Sequence, residues 1–393
     1  MKKIIILFFI VFACLKTFSQ GCVAVRQMGG VCNISNPTQH YNLAKGDFQV
    51  GLNYRYFHSW RHFVGTEEQP QRQYTRGGFG KDGIERGNAV NIYSHAVDFN
   101  FSYGLTDRIQ LNATLPWVHN ERSQVMAQKT PTVDTFRYSV FAKGLADIRL
   151  GINYWTIDPA KTTNGNLMIG LGVKLKTGDF STMDKAPQTD GTVKNVVMDQ
   201  AIQPGDGGIG FSVELQGFTK LYKGITGFAN AYYLFSPQQS NGVYKSAPSA
   251  TPGLAGYELY ASPDQYFLRA GAMTSIGKAK RLTASLALRM EGIPAYDVLG
   301  GQVAYRRPGY VVAIESGISY ATGQHNISLF IPYNFIKNRI QSAADIATQN
   351  IRNSGVIDPA KLVHVQGDAA FADYSISLGY TYRFVKKSSK HAM

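Results

Sequence analysis

The sequence predicts an all-β protein, a transmembrane antiparallel up-and-down barrel of about 12 strands. Three observations lead there. Runs of about ten residues alternate apolar and polar over most of the chain. The charges of those runs gather on the face opposite the apolar one. The connections between runs alternate between short and long, the rhythm of periplasmic turns and extracellular loops. Composition agrees: of 393 residues, 17% are charged, 12% are aromatic and 40 are glycine. No apolar stretch after the first 20 residues is long enough for a membrane helix. Three cysteines exclude a disulfide-dense scaffold.

The chain begins with an address. Lys2 and Lys3 precede an apolar Ile4–Ala13 segment, and Thr17-Phe18-Ser19 supplies small residues before Gln20. Residues 1–19 therefore read as a signal peptide for Sec export. Its removal lowers the net charge from +14 to about +11. Val11-Phe12-Ala13-Cys14 competes as a lipidation box, although Phe12 is bulky and the apolar segment before it short, and Ser19-Gln20-Gly21-Cys22 competes less, because it lacks an aliphatic residue at its start. Residues 20–46 form a leader that either plugs the lumen or hangs in the periplasm. Cys22 and Cys32 pair there in a disulfide suited to an oxidising compartment, or stay as two thiols.

Residues 47–384 carry the strands. The first has Phe48, Val50, Leu52, Tyr54 and Tyr56 on one face and Arg55 on the other. The second alternates Val97, Phe99 and Phe101 with Asp98. The third runs from Ile109 to Trp117, and the fourth sets Ile148 to Tyr154 against Asp147 and Arg149. The fifth sets Leu167 to Leu175 against Lys174 and Lys176, the sixth Ile209 to Leu215 against Glu214. The seventh has Ala229 to Phe235, and the eighth Tyr266 to Ala272 against Arg269. The ninth sets Leu282 to Met290 against Arg289 and Glu291, the tenth Tyr310 to Tyr320 against Glu315. The eleventh is Ile327 to Tyr333, and the twelfth Tyr374 to Phe384 against Arg383. An even count places both ends on the periplasmic side. Long loops are expected near 63–90, 118–145, 177–208, 236–264, 292–309 and 335–372.

A lipid-facing Lys or Arg costs about 2–4 kcal/mol at mid-membrane, which explains the clean faces. The inward charges Arg55, Asp98, Asp147, Arg149, Lys174, Lys176, Glu214, Arg269, Arg289, Glu291, Glu315 and Arg383 line the lumen. They either knit a closed core or border a polar conduit. Aromatics at run ends suit interfacial girdles. Phe384, in phase with Tyr380 and Tyr382, resembles the signal read by the outer-membrane assembly machinery, although a tail of residues 385–393 follows it.

Tyr103-Gly104-Leu105-Thr106-Asp107-Arg108, the segment Gly144 to Gly151 and the segment Gly172 to Asp179 occur in this order. Together they resemble the outer-membrane proteins called "MetA-pathway of phenol degradation", related in style to FadL-type hydrocarbon transporters. The resemblance covers most of residues 45–384. It implies a passive transporter of small, aromatic or apolar molecules and supplies no catalytic residues.

Other functions are weaker readings. A structural or surface-interaction barrel without transport is the runner-up. An outer-membrane lipase needs an outward Ser–His pair. His58 and His95 face outward, but Ser59 and Ser94 point inward. The eight histidines are scattered, so no metal or cofactor is expected. The basic charge suits outer-membrane lipid and lipopolysaccharide, and no basic aromatic patch points to nucleic acid.

Overall fold

A computed structural model of the protein describes residues 43–386 apart from 74–77, 80–84, 87–88, 129–133, 160, 163 and 189. The signal peptide, Cys14, Cys22, Cys32 and nearly all of the leader therefore lie outside the described residues.

The described chain is a closed antiparallel barrel of twelve staves. Its segments are β1 (Phe48–Ser59), β2 (Asn91–Gly104), β3 (Ile109–Gln128), β4 (Asp134–Leu145) and β5 (Arg149–Trp155). There follow β6 (Gly165–Lys174), β7 (Gly210–Tyr222), β8 (Ile225–Phe235) and β9 (Gln265–Ile276). The last are β10 (Leu282–Ile293), β11 (Gly309–Thr322), β12 (His325–Asn338) and β13 (Tyr374–Phe384). Each stave pairs with the staves next to it in sequence, and β1 closes the ring on β13, from Phe48 opposite Phe384 to His58 opposite Tyr374. Among the described residues no helix is long and apolar enough to cross a membrane. Strand backbone groups instead satisfy one another around the ring.

β4 and β5 are two halves of one stave. Both pair with the same edge of β3, β4 opposite residues 117–128 and β5 opposite residues 109–114. The break at residues 146–148 has a cause on β3. The Pro116 carbonyl accepts from Ala146 at 2.8 Å, so Pro116 faces the break and has no N–H to give there. Gly144 turns the chain with φ +142, a value that favours glycine.

This stave corrects the expected boundaries. The segment 118–145 is not a loop: its described residues are the upper part of β3, which stays paired with β2 as far as Ser123, and all of β4. His119, Glu121, Arg137 and Ser139 all stand on the outward face of this pair, while Tyr138, Val140 and Ala142 pack inward, so the outward apolar repeat ends here.

The faces are sorted as the alternation implies. Leu171, Leu286 and Leu288 are 58%, 59% and 56% exposed on the outside. Inward neighbours such as Asp98, Lys174, Arg269 and Glu315 are buried. At the periplasmic end the connections are tight. Residues 43–47 cross that rim, with Leu43 buried and the Gly46 amide donating to the Gly104 carbonyl at 2.7 Å. Gly104 has to be glycine, because a β-carbon there would stand 2.1 Å from the Ala44 carbonyl oxygen.

At the other end the loops fold inward. Residues 175–209 carry a small hairpin (Met183–Pro187 with Val193–Val197) and then turn Met198, Ala201 and Ile202 onto inward residues such as Ile92, Val140 and Ala142. The loop between β12 and β13 carries α1 (Ala343–Asn353), opened by a capping box of Ser342 and Asp345.

Candidate functional site

The site is the lumen with its roof. Its central layer is an ion cluster. Arg269 and Arg289 lie directly opposite each other on β9 and β10. Like charges so placed repel. Glu315 from β11 resolves this by accepting from both, at 2.7 Å each. Arg289 also holds Glu291 at 2.9 Å, and Arg269 donates to the Asn230 carbonyl oxygen at 3.1 Å. The Arg269 guanidinium lies 5.2 Å from the Phe228 ring centre and 5.5 Å from that of Phe330, within cation–π range of both.

The other predicted lumen residues fall into smaller groups. Arg55 pairs with the fully buried Asp98 at 3.3 Å. Buried Lys174 contacts Asp147 at 3.6 Å and makes a tighter pair with Asp206. Asp147 also accepts from the amides of Gly178 and Asp206, which fastens the stave break to the roof. Arg149 lies over the Tyr232 ring at 5.3 Å and within electrostatic reach of Glu214. Arg383 sits at the periplasmic rim and holds Asp47 at 2.6 Å. Lys176 lies beyond the end of β6, exposed, with its ammonium 4.3 Å from the Phe180 ring centre.

The periplasmic half of the lumen beside β5–β10 holds apolar side chains set among buried polar ones such as Asn166, Gln216, Thr226 and Thr283. Phe218, Phe228, Met273 and Ala287 form one cluster. Trp155 meets Phe218 edge to face at 6.3 Å and stands opposite Met168. The buried Trp155 indole N–H has no acceptor among the described residues.

The roof is tied by ion pairs from loops that carry no periodic signal, so sequence reasoning missed them. Arg307 reaches across to Asp199. Burial works against the Asp199 charge, but Arg307 overrides it and holds the carboxyl well below the usual range. Arg306 clasps Asp297 with two bonds of 2.6 and 2.7 Å in full burial. Burial still pushes Asp297 up to about 6. The Ser262 hydroxyl donates to the Asp206 carbonyl, joining two loops at 2.7 Å. Between β12 and β13 the ladder stops at Phe330 opposite Ser377. Above it Asp373 takes over, accepting from Lys337, Arg61 and the Trp60 amide.

The two outward histidines have other partners. His58 stacks on Tyr93 at 4.3 Å and contacts Asn91, and His95 bonds the Tyr54 hydroxyl at 2.8 Å. The Ser94 hydroxyl donates inward to Asn120, and Ser59 is buried.

No family model and no curated protein matches the chain. Solved structures do. An outer membrane channel from Pseudomonas putida F1 superposes with a TM-score of 0.51 at 9% identity, over 89% of this chain and 99% of that one. The P. putida toluene transporter TodX matches at 0.41 with 13% identity, over 90% and 94% of the two chains. The Ralstonia pickettii toluene transporter TbuX matches at 0.38 with 12% identity, over 88% and 91%. The likeness to the first of these shows the fold: this chain is a barrel of the outer-membrane type.

Proposed function

We infer that the protein is a passive outer-membrane channel for small apolar or aromatic molecules. One observation carries this reading. The barrel holds an apolar, aromatic cluster of Phe218, Phe228, Met273, Trp155 and Met168 below a layer of paired charges. A barrel that passed ions or sugars would line its conduit with polar groups throughout. The likeness in fold to an outer membrane channel supports the same reading. The paired lumen charges, Lys176 beyond the strand end and Arg383 at the rim apart, would then form a constriction, tightest at Arg269, Arg289 and Glu315. Sec export through residues 1–19, assembly by the machinery that reads the last strand, and a leader of residues 20–46 with a Cys22–Cys32 bond complete the proposal.

The pairing of the lumen charges favours a second reading, a sealed structural barrel. One experiment separates the two. Protein reconstituted in vesicles is offered a labelled monocyclic aromatic and a polar solute of equal size. A channel admits the aromatic at least about tenfold faster than protein-free vesicles do. Equal rates with and without protein reject transport and leave the structural barrel.

A further inference from the structure

The outer wall changes character at the extracellular end of β8–β12. Tyr233 stands opposite Tyr266, Tyr266 opposite Gly292, Gly292 opposite Tyr310, and Tyr310 opposite Asn338. All five positions share the outward parity, so an aromatic girdle is notched at its glycine. Pro294, Ala295, Tyr296 and Val298, with Ile340 and with Ile346 of α1, fold around this notch. Together with Gly65, Asn338, Gln341 and Gln366 they border a partly open cavity of about 720 Å³ beside the outward positions Tyr233 and Tyr266, and no charged side chain lines it. Tyr266 lines it too, is 6% exposed, and its hydroxyl has no hydrogen-bond partner among the described residues. Below Tyr233, the outward positions of β8 are Ala231 and Ala229, and Ala229 is paired with Ala270. Leu215 on one side and Leu288 on the other stand out, 40% and 56% exposed. The result is a shallow furrow in the lipid-facing wall that leads up to the cavity.

We propose that the cavity and furrow hold one lipid of the outer leaflet. An acyl chain lies along Ala229 and Ala231, and an uncharged ester or hydroxyl oxygen of the same lipid meets the Tyr266 hydroxyl. Position selects this occupant. The cavity stands at the level of the aromatic girdle, where chains meet headgroups, and it continues the apolar belt directly. Its neutral lining excludes a phosphate from the cavity but suits an ester. Small residues let a chain approach the wall closely, and close packing is what favours association where water is absent. A buried phenol without a partner is costly, so a lipid oxygen that satisfies it gains more than it would in water.

The inference rests on the outer-membrane placement proposed above, and not on transport. The full-length protein is extracted in mild detergent, stripped of lipid, titrated with hexa-acylated lipid A and weighed intact by native mass spectrometry. The wild type is expected to retain one lipid A per barrel. Ala229→Leu with Ala231→Leu fills the furrow with a side chain suited to a lipid-facing position, and it lowers retention about tenfold. Tyr266→Phe lowers it about fivefold, the effect of one hydrogen bond. Heat-modifiable migration confirms that each variant is a closed barrel, and aromatic flux stays at the wild-type rate. Loss of flux with lipid retained would strike the channel reading alone. A wild type that binds no lipid A, or a furrow-filled variant that binds as much, overturns the proposal. Unchanged retention by Tyr266→Phe overturns the assigned hydroxyl contact.

Discussion

The two faces of β10 solve opposite problems within one strand. Leu286 and Leu288 point outward, 59% and 56% exposed. Between and beside them, Ala287, Arg289 and Glu291 point inward to a layer where charges bind charges. A water-soluble protein hides its apolar groups and wets its charges; here lipid is the outer solvent, so the arrangement is inverted. Outside, a strand needs only to lack charge, and any apolar side chain serves. Inside, each charge needs a particular partner at a particular place.

That contrast can be broken from the inside first. Glu315→Gln leaves Arg269 and Arg289 facing each other without their shared carboxylate. Removing one member of a buried ionic group typically costs about 3–5 kcal/mol. Urea unfolding of the reconstituted barrel should show a loss of this size. Replacing the group together (Arg269→Met, Arg289→Leu, Glu315→Leu) should recover most of it, because what costs is the unpaired charge. Recovery that fails would mean the layer is held by more than its pairing.

From the outside the same change acts through solvent alone. Leu288→Arg places a charge on the lipid face and should cost about 2–4 kcal/mol in the same assay, with no partner to blame. A cost near zero would show that this part of β10 stands above the hydrocarbon.

The roof offers a third test. Burial opposes ionisation of Asp368, but the bond to His62 and the nearby charges of His62 and Arg72 bring its carboxyl down to about 2 from 3.8. A lowered carboxylate stabilises the folded state fully above the unfolded value and loses that contribution as pH falls through the folded one. The loop between β12 and β13 should therefore resist an acid-active protease at pH 5. It should become sensitive between pH 4 and pH 2, a change on the order of 2 kcal/mol. Asp297, raised to about 6, works in the other direction, since a raised carboxyl favours the folded state as pH falls. Asp368→Asn should remove the acid step; its persistence would assign the step to another pair. The smallest effect belongs to the exposed pair Lys361–Asp358. Lys361→Ala should change stability by less than about 0.5 kcal/mol, because water already screens both partners.

The same contrast explains what the sequence made readable. The lipid face repeats every second residue, so alternation located all twelve staves and the parity of charges such as Arg269 and Glu315. It failed at β4, because there the polar residues Arg137, Ser139 and Lys143 stand on the outward face and the apolar Tyr138, Val140 and Ala142 pack inward against the roof. It could not say which charge meets which, since Arg55 and Asp98 are 43 residues apart and meet through barrel register. Nor could it reach Asp199, Asp206, Asp297 or Asp373. These lie in loops, where position depends on tertiary packing and not on period. The aromatic cluster lay outside the expected strands, since Phe218 and Phe228 fall just past their ends and the meeting of Phe218 with Trp155 depends on how the ring closes.

The pairing of Asp47 with Arg383 spans 336 positions of chain, at the base of the seam between β1 and β13. Every other ladder in the wall joins strands much nearer in sequence. The entropy of closing so long a loop must be met before the seam returns any contact energy. Ring closure is therefore a late and slow event, dependent on a strand that is synthesised last. Until it happens the sheet has two bare edges, each a template for mispairing. Pulsed hydrogen exchange during refolding should find the amides of β1 and β13 protected after those of β9 and β10.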